Sequence, residues 1–187
     1  MARVGRLAIW TLYMIVFVDF LQLSFVFPLL PGIVEGFGQG ATQVGILGSV
    51  AAAGEAIAAP YLGMLADRIG RKPVFIVAMA GCAVSSVVIG YAQSYYFLVV
   101  ARLVGGICGG TASVAASYIA DVTTDEERPG YMTYFQAAIF LGLSFGPSLG
   151  GYMNKLGGFR AACYAAAAIC AVNLLAMIIF LPDSRAF

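Results

Sequence analysis

The sequence predicts an all-α membrane protein with six transmembrane helices arranged as a 3+3 inverted repeat. Three observations lead there: an apolar composition, six apolar stretches of spanning length, and a motif that recurs at a fixed offset. Of 187 residues, 61% are hydrophobic and 10% are charged, and the mean hydropathy is +0.93. A soluble domain is about one quarter charged. Ten basic and nine acidic side chains cannot cover so much apolar surface in water. A bilayer accommodates it, because a helix satisfies its own backbone polar groups there.

A span needs about 20 mostly apolar residues. That ruler gives spans near 7–31, 42–65, 74–92, 96–120, 131–153 and 160–181, making residues 1–187 a single transmembrane domain. The breaks fall at Glu35 to Gln43, Asp67 to Lys72, Gln93-Ser94, Asp121 to Gly130 and Asn154 to Gly158. The first span follows Arg3 and Arg6 as a signal peptide would. It is too long for one, carries Asp19, and ends in Phe27-Pro28-Leu29-Leu30-Pro31 instead of a small-residue cleavage site.

Cations set the orientation. Arg3, Arg6, Arg68, Arg71, Lys72, Arg128 and Arg185 fall in the N-terminus, the second and fourth loops and the tail; Lys155 and Arg160 fall in the fifth loop. Both termini are therefore expected in the cytoplasm.

The repeat comes next. Pro60-Tyr-Leu-Gly63-Met-Leu-Ala-Asp67-Arg68-Ile69-Gly70 returns as Pro147-Ser-Leu-Gly150-Gly-Tyr-Met-Asn154-Lys155-Leu156-Gly157, with an offset of 87 residues throughout. Three spans separate equivalent positions, so the copies point in opposite directions, as in the inverted repeats of many transporters.

Three ionisable residues lie inside spans: Asp19 in the first, Glu55 in the second and Arg102 in the fourth. Each costs roughly 2.5–3.5 kcal/mol near a helix centre and belongs in a bundle interior or a wet cavity. Gln22 shares a face with Asp19. Arg102, Gly106, Gly109, Ser113 and Ser117 form a polar and small stripe on the fourth span. A carboxylate that moves between the guanidinium and an apolar setting changes its proton affinity, which makes Asp19 or Glu55 a candidate proton carrier. A fixed carboxylate–arginine pair that only sets helix packing is the plainer reading.

The glycines read as packing. Gly105/Gly109, Gly106/Gly110, Gly142/Gly146/Gly150, and Gly48 with Ala52 and Ala56, are small-x-x-x-small patterns that let backbones approach. Pro147 is expected to bend the fifth span.

Histidine is absent and the net charge is +1, which leaves no imidazole chemistry and no electrostatic footprint for nucleic acid. Cys82, Cys108, Cys163 and Cys170 lie in apolar stretches without a C-x-x-C pair, as small buried hydrophobes do. No nucleophile–base set, metal cluster or phosphate loop marks an enzyme, and no cofactor is expected.

Gly63-Met-Leu-Ala-Asp67-Arg68-Ile-Gly70-Arg71-Lys72 resembles the major facilitator superfamily signature between helices 2 and 3, G-x-L-a-D-r-x-G-r-k. Gly63 and Gly70 suit a tight cytoplasmic turn, Asp67 a helix cap, and the cations an anionic leaflet. Arg102-Leu-Val-Gly-Gly106 is similar to the family's helix 4 motif, whose Arg is linked to proton coupling. Tyr118-Ile-Ala-Asp121 with Glu126-Glu127-Arg128 resembles the helix 4–5 loop, whose Asp pairs with the helix 2–3 Arg. Gly142-Leu-Ser-Phe-Gly146-Pro147-Ser-Leu-Gly150-Gly151 resembles the helix 5 antiporter motif.

With Asp19 and the Phe27–Pro31 turn, the chain resembles the N-terminal half of the drug/proton antiporter branch, which includes tetracycline efflux proteins. The resemblance implies proton-coupled antiport of a small organic molecule by alternating access. Asp67/Arg71 and Asp121/Arg128 would hold the inner gate. The implied partners are the bilayer, the substrate and a second six-helix half, in cis or as a second copy. The chain stops four residues past Pro182-Asp183, where a first half would end, and carries Glu55 where a neutral polar residue is expected. A carboxylate there suits a cationic substrate or a further proton site. The competing reading is a half-size, non-transporting protein that binds or regulates a transporter.

Overall fold

The computed structural model describes residues 4–180, with side chains from Ile9 onward. Arg3, Leu181, Pro182-Asp183, Arg185 and the side chain of Arg6 lie outside the described residues. The described chain is all-helical: α1 (Val4–Phe25), a 3-10 turn (Phe27–Leu29), α2 (Leu30–Gly36), α3 (Ala41–Ile69), α4 (Arg71–Gly90), α5 (Tyr95–Cys108), α6 (Thr111–Val122) and α7 (Arg128–Phe180).

By length and composition, five stretches among the described residues can cross a membrane: Ile9–Gly36, Ala41–Ile69, Arg71–Gly90, Tyr95–Val122 and Arg128–Phe180. Six were expected, and the difference lies in α7, which runs on through the expected fifth loop. A straight helix of its 53 residues would be about 80 Å long, well beyond the roughly 30 Å of a hydrocarbon core. Gly158, at φ 74°, leaves helical geometry and divides α7 into a first limb (128–157) and a second limb (159–180).

Both limbs pack on α1. The Tyr13 hydroxyl donates to the Tyr131 carbonyl, Ser24 donates to that of Gly142, and Gly150 abuts the Phe25 backbone, so the first limb runs parallel to α1. The second limb runs back. Ala162, Cys163 and Ala166 join the cluster around Leu21 and Phe25, whereas Cys170 and Met177 join the one around Ile9 to Val16. Asn173 donates to the Ile15 carbonyl at 3.0 Å.

Three further boundaries depart from the sequence reading. Within the first stretch the helix α1 ends at Phe25, because Pro28 and Pro31 open new helical turns at their N-termini, where a missing N–H costs nothing, and the apolar stretch runs on to Gly36. The second span continues through Asp67 and Arg68 to Ile69, and only Gly70 (φ 105°, ψ 158°) separates it from α4. Asp67 is therefore a helical residue rather than a cap, and Gly63 lies within α3, not in the turn. The fourth span is broken: α5, capped by the Ser94 hydroxyl, ends at Cys108, and α6 restarts after Gly109-Gly110.

Close backbone contact holds the bundle, as expected where lipid tails supply no hydrophobic drive between helices. Gly106 lies on the Ala51 backbone, and a Cβ on Gly54 would stand 3.1 Å from the Leu103 carbonyl oxygen. On Gly142 it would stand 2.6 Å from the Phe17 carbonyl oxygen. In α3 the small-residue face is thus Ala51, Gly54 and Ala58. Gly48, which was expected there, has open space beside it.

Candidate functional site: a charged cleft and an ion-pair clamp

Midway along the bundle, α1, α3, α4 and α5 enclose a cleft with about 140 Å³ of room. Its walls bring together Asp19, Gln22, Glu55 and Arg102, the intramembrane polar residues that the sequence singled out. Small residues of the packing stripes, Gly48, Ala51, Ala52, Gly105, Gly106 and Gly109, leave the space open. Cys82, Ser85 and Ser86 complete it from α4. Ser113 and Ser117 do not reach it. Their hydroxyls return to the carbonyls of Gly110 and Ser113, because the break at Gly109-Gly110 turns α6 out of the α5 register.

That break organises the first carboxylate. The side chain of Thr111, the first residue of α6, donates to Asp19 Oδ2, and its backbone N–H bonds the Gly109 carbonyl at 2.8 Å. Glu55 lies on the other side: a Cβ on Gly109 would stand 3.9 Å from its Cδ. Asp19 is buried and Glu55 is partly exposed. Gln22 donates to Ser86 Oγ at 2.9 Å, and Ser86 in turn donates to the Cys82 carbonyl at 3.0 Å.

Arg102 stands apart. Only 7% of its surface is exposed, and its guanidinium lies over the Phe27 ring at 5.6 Å. Ion pairs join Arg71 to Asp67 and Asp121, and Arg128 to Asp125, and among the described residues none joins Arg102 to Asp19 or Glu55. The structural carboxylate–arginine pair considered from sequence is therefore not formed. Arg102 Nε and Nη2 have no hydrogen-bond partner.

The second assembly lies at the end of the bundle where α3, α4 and α6 meet. Arg71 bridges Asp67, at 2.5 Å, and Asp121, at 2.9 Å. It thereby ties the end of α3 to the end of α6, and it is itself buried. Lys72 donates to the Ile178 carbonyl at 2.8 Å and holds the end of the second limb to the same corner. Arg68 lies in the last turn of α3, where a cation favours the helix dipole. Arg128 pairs with Asp125 at 2.9 Å and donates to the Ala120 carbonyl at 3.3 Å, so it anchors the 123–128 turn and leaves Asp121 to Arg71.

The glycine motif of the first limb faces α1. Gly142, Gly146 and Gly150 meet α1 backbone and the Ser24 side chain, whereas Gly151 points into open space. Pro147 lies inside the helix among them. Sequence reasoning missed Thr111, Ser86, Phe27 and Asp125. Gly-Gly-Thr in mid-span was the signal for the first, since two glycines before a hydroxyl residue mark a helix restart.

The sequence profile described as Major Facilitator Superfamily matches residues 12–186. This chain belongs to the Major Facilitator Superfamily. Members are integral, multi-pass membrane transporters, not enzymes. The chain is 34% identical to the tetracycline resistance protein, class G, of Vibrio anguillarum, over 92% of this chain and 44% of that protein. It is 26% identical to the quinolone resistance protein NorA of Staphylococcus aureus, over 95% of this chain and 46% of the relative. The crystal structure of the human organic anion transporter MFSD10 (TETRAN) superposes with a TM-score of 0.86 at 25% identity, covering 96% of this chain and 48% of that one. The chain thus spans somewhat under half the length of these superfamily proteins.

Proposed function

We propose that the chain is the first half of a proton-coupled antiporter that moves a small organic molecule by alternating access. The observation that carries this reading is the cleft, where two carboxylates and an arginine line one space inside the bundle without pairing with one another. Asp19, buried and bonded to Thr111 at a helix break, is the proton carrier, and Glu55 is a second acidic group facing the substrate. Discontinuous helices commonly form such sites in secondary transporters.

Coupling requires substrate and proton to favour different states. The Arg71 clamp on Asp67 and Asp121 is the element that opens and closes, and both termini are on its cytoplasmic side. A 3+3 inverted repeat underlies the half. In support, Pro60 and Pro147 both sit inside helices, and a glycine of positive φ ends the first motif copy, Gly70, and directly follows the second, Gly158. A second half, in cis or as a second copy, completes the path.

The relatives named for tetracycline and quinolone resistance supply the first probes. In proteoliposomes holding this chain, alone and with its second half, tetracycline or a quinolone should drive proton movement that Asp19→Asn abolishes. Glu55→Gln should alter transport or its pH dependence. If neither changes, Glu55 has no part in it. Probe binding without any proton movement would favour the half-size binding or regulatory reading.

A further inference from the structure

Arg102 is the most expensive side chain in the cleft. A guanidinium within a span is costly, and it normally recovers part of that cost from a carboxylate or backbone carbonyls. Here the two unpartnered atoms, Nε and Nη2, share one edge of the group. That edge is the side-on fork that grips a carboxylate through two parallel N–H···O bonds. Arg102 Cζ stands over the Phe27 ring, 5.6 Å from its centre, a cation–π contact beside the fork. Phe27 is 47% exposed and lines the same cleft, leaving an apolar surface next to the fork. The two atoms are buried, and Asp19 and Glu55 line the same cleft as Arg102 without forming an ion pair.

We infer that Arg102 is a specificity-determining residue that takes the carboxylate of an aromatic substrate, while Glu55 takes a cationic amine on the same molecule. This rests on the reading of the cleft as the substrate path. A plain organic cation would leave the Arg102 fork unsatisfied, and a plain organic acid would lie beside two carboxylates with nothing to offset them. A molecule carrying both charges at opposite ends of a ring satisfies both walls, and the room of about 140 Å³ suits one of single-ring size. Asp19 keeps its Thr111 hydrogen bond in this arrangement and remains available for the proton.

The test is equilibrium binding to the full chain in lipid nanodiscs, measured calorimetrically with three probes: 4-(aminomethyl)benzoate, benzylamine and benzoate. The zwitterion should bind about tenfold or more tighter than either single-charge probe, since a charge-assisted fork is at stake. Arg102→Met should bring the zwitterion down to the level of benzylamine, and Glu55→Gln down to that of benzoate. Arg102→Lys keeps the charge, loses the fork and should retain only part of the preference. The wild-type ranking needs no variant, so misfolding of Arg102→Met leaves the test intact. Benzylamine binding as tightly as the zwitterion, a preference that survives Arg102→Met, or no binding of any probe would each overturn the assignment. No proton gradient enters the measurement, so failure of proton coupling in vesicles is a separate result.

Discussion

The hydroxyl of Thr111 donates to the carboxylate of Asp19 across the break between α5 and α6. One hydrogen bond therefore links the charged residue of α1 to the restart of the fourth span. Its loss would leave a buried carboxylate with one partner fewer. Thr111→Val, which keeps the shape and removes the donor, should destabilise the protein by about 1–3 kcal/mol. Thr111→Ser should retain most of the stability. Thermal unfolding in detergent checks the ranking.

The Arg71 clamp predicts a change in access. Asp121→Asn removes one of the two carboxylates holding Arg71 and frees the end of α6 from α3. Cys82, which lines the cleft, should then be alkylated several-fold faster by a polar thiol reagent. Asp125→Asn should leave that rate unchanged, because Asp125 pairs with Arg128 and not with Arg71.

Glycine substitutions should separate packing from permissiveness. Gly106→Ala drives a methyl into the Ala51 backbone, an overpacking that costs about 1–3 kcal/mol. Gly63→Ala meets nothing within 4 Å inside a helix and should be neutral or stabilising by about 0.5–1 kcal/mol. A Gly63→Ala variant less stable than Gly106→Ala would contradict the packing described here.

Gly158 makes a backbone prediction. It turns the second limb back along α1 with φ 74°, a conformation that L side chains adopt only at a cost. Gly158→Ala and Gly158→Asn should each lose about 1–3 kcal/mol in thermal unfolding, because φ 74° with ψ 179° lies outside the left-handed helical well that asparagine tolerates. Gly157→Ala is the comparison, since its conflict is a side-chain contact with Ala161.

Much of this was legible in the sequence, for physical reasons. Apolar length announces a span, and charges inside spans are rare enough that Asp19, Glu55 and Arg102 had to face something other than lipid; all three line one cleft. The motif around Asp67 and Arg71 pointed to the Asp121 contact. Hydropathy does not report backbone breaks inside an apolar run, so the α5–α6 interruption went unseen. It does not mark where a helix continues through a charged loop either, which is why α3 was ended before Asp67. The partners Thr111, Ser86 and Phe27 are set by the relative rotation of helices, which spacing along one helix does not specify.

Antiport of the kind proposed requires that substrate binding in the cleft expel a proton from Asp19. This requirement is tested most directly by recording proton release into weakly buffered detergent solution as tetracycline, a quinolone or 4-(aminomethyl)benzoate is added to the purified protein. A probe that binds should release protons from the wild type, and Asp19→Asn should bind it without release while Glu55→Gln still releases. Equal release from Asp19→Asn and the wild type would contradict the account.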